Sequence, residues 1–156
     1  MPPRHVAERT GRTEVQDYIT GRLGDAQATL VLDDTQVIKK GTRSVGVAHQ
    51  HCGATGDVRN CQVMVMLIYA AEAGHTFYDR RLYLPAAWAG DAERRHDAGV
   101  PEEITFATDP QLGIAMLETA LAWGLPFAWL AADADYGKDP ALRAFTTPCP
   151  TCSPCR

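Results

Sequence analysis

Residues 29–42, T-L-V-L-D-D-T-Q-V-I-K-K-G-T, constrain the possible folds of this chain more than any other stretch. Their apolar first half is typical of a strand buried on both faces, and it ends in two carboxylates, Asp33 and Asp34. A carboxylate in that position is usually hydrogen-bonded, paired with a base or bound to a metal, because burying it alone is costly. Lys39 and Lys40 follow and add positive charge. The stretch therefore predicts a metal-bound acid beside a phosphate.

The same residues also allow a simpler interpretation as a turn. Aspartate and threonine side chains bond to nearby backbone amides and end strands, so the D-D-T sequence needs no ligand. A second segment far along the chain favours the metal site. Residues 127–132, F-A-W-L-A-A, predict another buried strand, and this strand also ends in acids, Asp133 and Asp135.

Two strands that each deliver an aspartate suggest a shared site. If the strands are parallel neighbours, Asp33 and Asp133 emerge at the same carboxyl edge of the sheet, where open α/β sheets place their sites. Such acids can share divalent ions that activate an attacking oxygen and stabilise a leaving one in phosphodiester chemistry. Magnesium fits because it prefers oxygen ligands and keeps waters that substrate phosphates can replace. The spacing therefore predicts a site for Mg²⁺ or Mn²⁺.

The remaining periodicity predicts an α/β domain with a mixed sheet. Strands joined by short turns indicate an antiparallel meander, and a later strand-helix-strand order indicates a parallel crossover. The crossover helix opens at Asp109-Pro110 and ends at Gly124. Residues 60–71 are apolar on both faces, as in a central strand covered by helices on both sides. The other predicted elements are helices at 6–23 and 86–98 and strands at 44–52 and 75–84.

The composition is that of one soluble domain. With 156 residues and 46% hydrophobic content the chain can hold a single core, and no apolar run approaches the length of a membrane span. The N-terminus lacks the apolar segment of a secretory signal, which predicts a cytoplasmic protein. A formal charge of −4 excludes a protein coated in basic residues, so any contact with nucleic acid has to come from local patches.

The five cysteines form two groups. Cys52 and Cys61 lie in apolar, strand-like sequence and are predicted to be reduced core thiols. Cys149, Cys152 and Cys155 form C-x-x-C-x-x-C, which has zinc spacing. Prolines alternate with these three cysteines and no fourth ligand is evident, so a zinc-binding tail is an alternative hypothesis.

A second alternative metal site lies in a predicted strand. His49 and His51 alternate onto one face and form a candidate pair with Cys52. Histidines on strands are more often packed or solvated, and this interpretation is preferred for the pair.

The sequence contains, in order, the blocks V-L-D-D-T-Q-V-I-K-K-G-T-R-S-V-G-V-A-H-Q-H-C-G, N-C-Q-V, R-R-L-Y-L-P, A-G-V-P-E-E-I, F-A-T and A-D-A-D-Y-G-K-D-P-A-L-R. In their order and spacing, these blocks resemble the catalytic core of bacterial insertion-sequence transposases of the DDE superfamily. They extend from about Tyr18 to Ala144.

The resemblance implies an RNase H-like fold with the first acid on the first strand, the second just after the fourth, and a third on a later helix. It implies that Asp33 and Asp133 are catalytic residues and metal ligands, with two Mg²⁺ or Mn²⁺ ions in the complete enzyme. Asp34 and Asp135 are auxiliary candidates. The remaining candidates are Lys39 and Lys40, as weaker contacts to DNA phosphate.

The chain also departs from the family pattern. Gln36 replaces the usual glycine, and Asp135 stands where an apolar residue is more usual. The third acid is missing, because no glutamate follows Glu118. Asp109, Asp135 and Asp139 are substitutes by residue type, but none lies on the expected later helix. The core is therefore expected to be C-terminally incomplete and inactive alone, with little or no strand transfer.

Three segments follow from this interpretation. Residues 1–24 are an N-terminal helical remnant, 25–145 a partial transposase core, and 146–156 a Pro/Cys-rich tail predicted to be disordered. The complete enzyme would cleave and transfer DNA strands during transposition of an insertion sequence. The alternative is a non-catalytic regulator that binds DNA or transposase, or a relic without function.

The partners and the location follow from the same resemblance. The expected partners are transposon ends and target DNA, together with a second copy of the chain or a full-length transposase, and no membrane. The expected location is the bacterial cytoplasm, at the nucleoid when the protein is bound to DNA.

Overall fold

The computed structural model describes residues 4–146 of the chain, with side chains from residue 14 onward. The order of elements is helix, four strands, three helices, strand and two short helices. Their bounds are α1 (Arg4–Leu23), β1 (Thr29–Ile38), β2 (Ala48–Cys52), β3 (Asp57–Ala71), β4 (Gly74–Leu82), α2 (Ala86–Ala89), α3 (Ala92–Asp97), α4 (Asp109–Ala122), β5 (Trp129–Ala132), α5 (Ala134–Gly137) and α6 (Pro140–Thr146).

The long strand β3 is the centre of a five-stranded mixed sheet. β1 pairs antiparallel with one edge of β3, while β2 and β4 pair antiparallel with successive parts of the other edge. β5 joins the free edge of β1 in parallel. The predicted α/β mixed sheet, an antiparallel meander plus a parallel crossover strand, is therefore confirmed.

The main core lies on one face of this sheet. Val65, Leu67 and Tyr69 of β3 are fully buried and form one cluster with residues of α1, α4 and α6. Met64 and Met66 alternate with them, are only half-buried and belong to neither this cluster nor the smaller ones. Among the described residues, this second face of the central strand is therefore less deeply buried than the first. Strand periodicity shows which residues share a face, but it does not show what covers that face.

The first strand does not end at its acids. β1 continues through Asp33 and Asp34 to Ile38, and its register with β3 pairs Asp33 with Met66 and Asp34 with Val65. The predicted strand end is wrong, and so is the alternative of a turn at this point. Pairing with β3 keeps these residues in the strand, and the Asp34 amide donates to the Asp33 side chain, so no turn is needed.

Two further elements differ from expectation. The helix predicted at 86–98 is broken into α2 and α3, because Gly90 ends the first and the Asp91 side chain caps the second by accepting from the Arg94 amide. The predicted buried strand at 127–132 is a short edge strand, and Trp129 on it is 64% exposed. An edge strand has a pairing partner on one side only, so its apolar composition does not by itself make it buried.

Other expectations hold. α4 begins at Asp109, contains Pro110 and ends before Gly124, as predicted. Cys52 and Cys61 are free and fully buried. No helix among residues 4–146 combines the length and apolar character needed to cross a membrane. The cysteine tail, with Cys149, Cys152 and Cys155, lies outside the described residues.

Candidate metal centre

The parallel pairing of β1 with β5 brings the predicted acids together. The last paired residues are Leu32 and Ala132. Asp33 and Asp133 therefore directly follow the paired segments of two neighbouring strands. One carboxylate oxygen from each of Asp33, Asp34 and Asp133 lies within 4.8 Å of the other two. The candidate centre is thus built by the strand register at the carboxyl edge of the parallel pair.

The two adjacent acids of β1 leave the strand on opposite faces. Asp34 follows the alternation of the fully buried Leu30 and Leu32, and it is half-buried beside the core. Asp33 is exposed, and its Oδ1 accepts a hydrogen bond from the Asp34 amide at 2.9 Å. Asp34 therefore faces the interior of the site and Asp33 its solvent side.

Asp133 has a structural role besides its position in the cluster. Its Oδ1 accepts hydrogen bonds from the amides of Asp135 and Tyr136, both at 3.0 Å, and so caps α5. This cap holds the carboxylate at the end of β5 in a defined orientation. Asp135 is exposed, and Lys138 donates to its Oδ1 at 3.0 Å.

A cavity of about 440 Å³ opens beside these carboxylates. Its lining includes Asp34, Asp133 and Asp135, together with Asp109 and Tyr136 from α4 and α5. The cavity is therefore rich in oxygen ligands, as hard divalent cations require.

The electrostatics of Asp34 reflect this crowding. Burial raises the pKa of its carboxyl, a hydrogen bond from the Gln36 side chain opposes that rise, and the negative charges of Asp33 and Asp133 add to it. A bound cation would reverse the effect of the neighbouring charges. The donor set and its mutual repulsion thus fit a divalent cation.

Asp109 is brought to the cavity by the packing of α4. A capping box between Thr108 and Gln111 fixes the start of the helix. Gly113 lets the helix approach β1 closely, since a Cβ there would lie 2.6 Å from a methyl group of Leu32. Asp109 has a buried Oδ1 with no hydrogen-bond partner among the described residues.

The pKa of Asp109 is displaced in the same direction as that of Asp34. Burial, and secondarily the charge of Asp34, raises the pKa of Asp109 to about 6. Asp109 is therefore partly protonated near neutral pH.

Tyr136 is the buried hydroxyl of the site. Its side chain is 3% exposed, and its hydroxyl has no hydrogen-bond partner among the described residues. Burial, followed by the charges of Asp109, Asp34, Asp133 and Asp33, raises its pKa. The sequence analysis did not identify Tyr136. Its place after a strand and an acid was the available signal, but a tyrosine there also suits a core.

Two groups of sequence candidates do not belong to the carboxylate cluster. Lys39 and Lys40 lie beyond the end of β1, at least five residues from Asp34, or about 17 Å at the rise of a strand. His49 and His51 are exposed while Cys52 is fully buried, and of these three residues His51 alone lines the cavity. Among the described residues the only potential metal cluster of three or more ligands is that of Asp33, Asp34 and Asp133.

Comparison with protein families gives a match over most of the chain. The model of the DDE superfamily endonuclease family matches residues 4–151. The chain belongs to the DDE superfamily endonucleases. Comparison with curated proteins and with solved structures gives no match. Membership implies metal-dependent cleavage of DNA in general, and the acidic cluster offers oxygen ligands of the kind that bind divalent metals.

The raised pKa of Asp109 makes a prediction about stability. A carboxyl with a raised folded-state pKa favours folding below about pH 4, and this contribution is lost as the pH rises through about 6. The unfolding free energy of Asp109→Asn relative to wild type should therefore be about 1 kcal/mol higher at pH 7.5 than at pH 4. This value is reduced to allow for the partial exposure of Asp109. Urea denaturation with a chelator present measures this difference. Asp135→Asn, exposed in the same cavity, is the control, and an Asp109→Asn effect equal at both pH values would contradict the prediction.

Proposed function

We propose that this chain is the catalytic domain of an insertion-sequence transposase and cleaves DNA phosphodiesters with Mg²⁺ or Mn²⁺. The observation that supports it is the approach of Asp33, Asp34 and Asp133 within 4.8 Å at the edge of a parallel strand pair, in a member of the DDE endonucleases. Asp33 and Asp133 are proposed as catalytic metal ligands. Asp34 joins them on the cavity side.

The proposed roles divide between the cation and the residues. When bound, the cation supplies Lewis-acid stabilisation of the phosphodiester oxygens and a water of lowered pKa. Asp33, Asp34 and Asp133 would hold the cation together, and the α5 cap keeps Asp133 in place. Asp33 would bind the cation from the solvent-exposed side. Asp135, paired with Lys138, has an auxiliary role at the rim of the cavity.

DNA is the proposed partner, and its contacts extend beyond the cavity. Lys39 and Lys40, in the segment after β1, are proposed to contact phosphates of the same DNA. Transposon ends, target DNA and a second copy or a full-length transposase are the further partners proposed. The proposed location is the bacterial cytoplasm, at the nucleoid when DNA is bound.

Nicking of a supercoiled plasmid tests the proposal. Because Asp33, Asp34 and Asp133 lie together, the purified chain should convert supercoiled plasmid to open circles with Mg²⁺ or Mn²⁺, in contrast to the inactive chain expected from the missing glutamate. A chelator should prevent this conversion. Asp133→Asn should lose this nicking while remaining folded, because asparagine also caps a helix. No nicking by folded wild type with either cation, or equal nicking by Asp133→Asn, would overturn the proposal. Strand transfer, assayed in the same reaction with a 3′-hydroxyl oligonucleotide, is expected to be weak.

A second candidate is a regulator that binds DNA without cleaving it. One observation favours it: no glutamate of the described residues lines the cavity. This candidate predicts salt-dependent DNA binding in the absence of nicking. Fluorescence anisotropy of a labelled duplex at several salt concentrations separates the two candidates.

A further inference from the structure

The Asp109 Oδ1 atom makes no hydrogen bond within its own helix. Aspartate in the first turn of a helix usually interacts with the free amides there. At the start of α4 the Thr108 hydroxyl and the Gln111 side chain already form the capping box. The Asp109 Oδ1 is buried without a hydrogen-bond partner among the described residues. A buried unpartnered carboxylate oxygen is costly, so it indicates a group that is missing from its surroundings.

Three of the side-chain donors around the cavity are already engaged elsewhere. The Gln36 amide donates to Asp34, and the Gln50 amide donates to the Cys61 carbonyl at 2.8 Å. Lys138 donates to Asp135. These donors line or border the same cavity as Asp109, yet none of them satisfies its Oδ1.

Tyr136 gives a second and independent indication of a ligand. Its side chain is 97% buried, since 3% is exposed, and it lines the cavity with Asp34 and Asp109. Its hydroxyl has no hydrogen-bond partner among the described residues. A buried phenol donor next to several acceptors, with no bond to any of them, is suited to an oxygen-bearing ligand such as hydrated metal or phosphate.

We propose that Asp109 is an additional carboxylate ligand of the divalent cation, on the Asp34 side of the cavity. This inference rests on the proposed function, because it adds a ligand to the same centre. Asp109 would supply the acid that is missing because no late glutamate is present. It lies at the start of the crossover helix α4 and not on a later helix. Mg²⁺ coordinates six oxygen ligands. A fourth carboxylate can therefore coordinate the cation together with Asp33, Asp34 and Asp133.

Calorimetric titration with Mn²⁺ alone tests the inference. Asp109→Asn keeps the shape of the side chain and removes its charge. It should weaken Mn²⁺ binding at least about tenfold, the scale of effect for groups that support a metal site. Asp97→Asn is the matched control, because Asp97 is exposed and lies outside the cavity. It should change the affinity by less than about twofold.

The outcomes separate the inference from the proposed function. Equal Mn²⁺ affinity of wild type and Asp109→Asn would overturn the inference alone. Failure of wild type to bind Mn²⁺ would overturn the proposed metal centre and the inference with it. Thermal unfolding without metal checks that each variant folds, and Asp109→Ser provides the same comparison if the asparagine variant does not fold.

Discussion

The double variant Asp34→Asn, Asp133→Asn is expected to lose the stabilisation that Mn²⁺ gives to wild type. At a hundred times its dissociation constant, a ligand of the folded state adds about 2.7 kcal/mol to the unfolding free energy. Both carboxylates belong to the cluster within 4.8 Å; Asp34 lies on β1 and Asp133 directly follows β5. Removing both leaves only Asp33 of that cluster, on the solvent side. Thermal and urea unfolding with and without Mn²⁺ measure the difference.

The control removes the same formal charge elsewhere. Asp17 and Asp97 are exposed and lie outside the cavity, so their double asparagine variant should respond to Mn²⁺ as wild type does. Without metal, the Asp34→Asn, Asp133→Asn variant should be at least as stable as wild type, because charge repulsion at Asp34 is relieved. A full Mn²⁺ response in this variant would show that the cation binds elsewhere.

Replacing Leu32 with alanine is expected to lower the unfolding free energy by about 2 to 5 kcal/mol. Leu32 is fully buried in the main core, directly before the acids. Its side chain packs against Gly113 of α4, where an added Cβ would lie 2.6 Å from one of its methyl carbons. The loss combines reduced apolar burial with a cavity at the junction of β1 and α4. Equilibrium urea denaturation measures it.

A double-mutant cycle gives this second prediction a sharp test. Gly113→Ala alone should overpack the Leu32 contact by about 1 to 3 kcal/mol, offset by up to about 1 kcal/mol of helix propensity. In the Leu32→Ala background the added methyl has space, so the two changes should cost less together than their sum by about 1 kcal/mol or more. Gly21→Ala in α1 is the control, because nothing lies within 4 Å of its Cβ position. Additive effects of Leu32→Ala and Gly113→Ala would contradict the packing described.

The fold was largely accessible from the sequence where the pattern is strong. The crossover helix combines a proline at its start, a glycine after its end and a clear apolar stripe, so its bounds were predicted closely. β1 was predicted too short because its second half is polar, and its extension depends on pairing with β3. β5 was predicted as buried because Trp129 and its neighbours are apolar, although exposure depends on which strand forms the edge. Long-range pairing, which local periodicity does not contain, decided both cases.

The candidate site was accessible only in part, for a similar reason. The positions of Asp33 and Asp133 after apolar runs predicted that they would meet, and they do. Neighbouring residues of a strand face opposite sides, so only one of Asp33 and Asp34 can face the cavity. The register of β1 in the sheet determines that this residue is Asp34. Asp109 enters through the close approach of α4 at Gly113, and Tyr136 through the short α5 turn. From the sequence, Asp109 was a substitute by residue type only, and a tyrosine after a strand and an acid also suits a core, so neither contact could be predicted.

The central claim is that the ends of two parallel-paired strand segments form one divalent-cation centre. Anomalous X-ray diffraction from crystals of the wild-type chain grown with Mn²⁺ tests it most directly. The account predicts an anomalous peak about 2.0 to 2.6 Å from carboxylate oxygens of both Asp34 and Asp133. A folded chain at saturating Mn²⁺ with no peak there, or with peaks only at other positions, would contradict it.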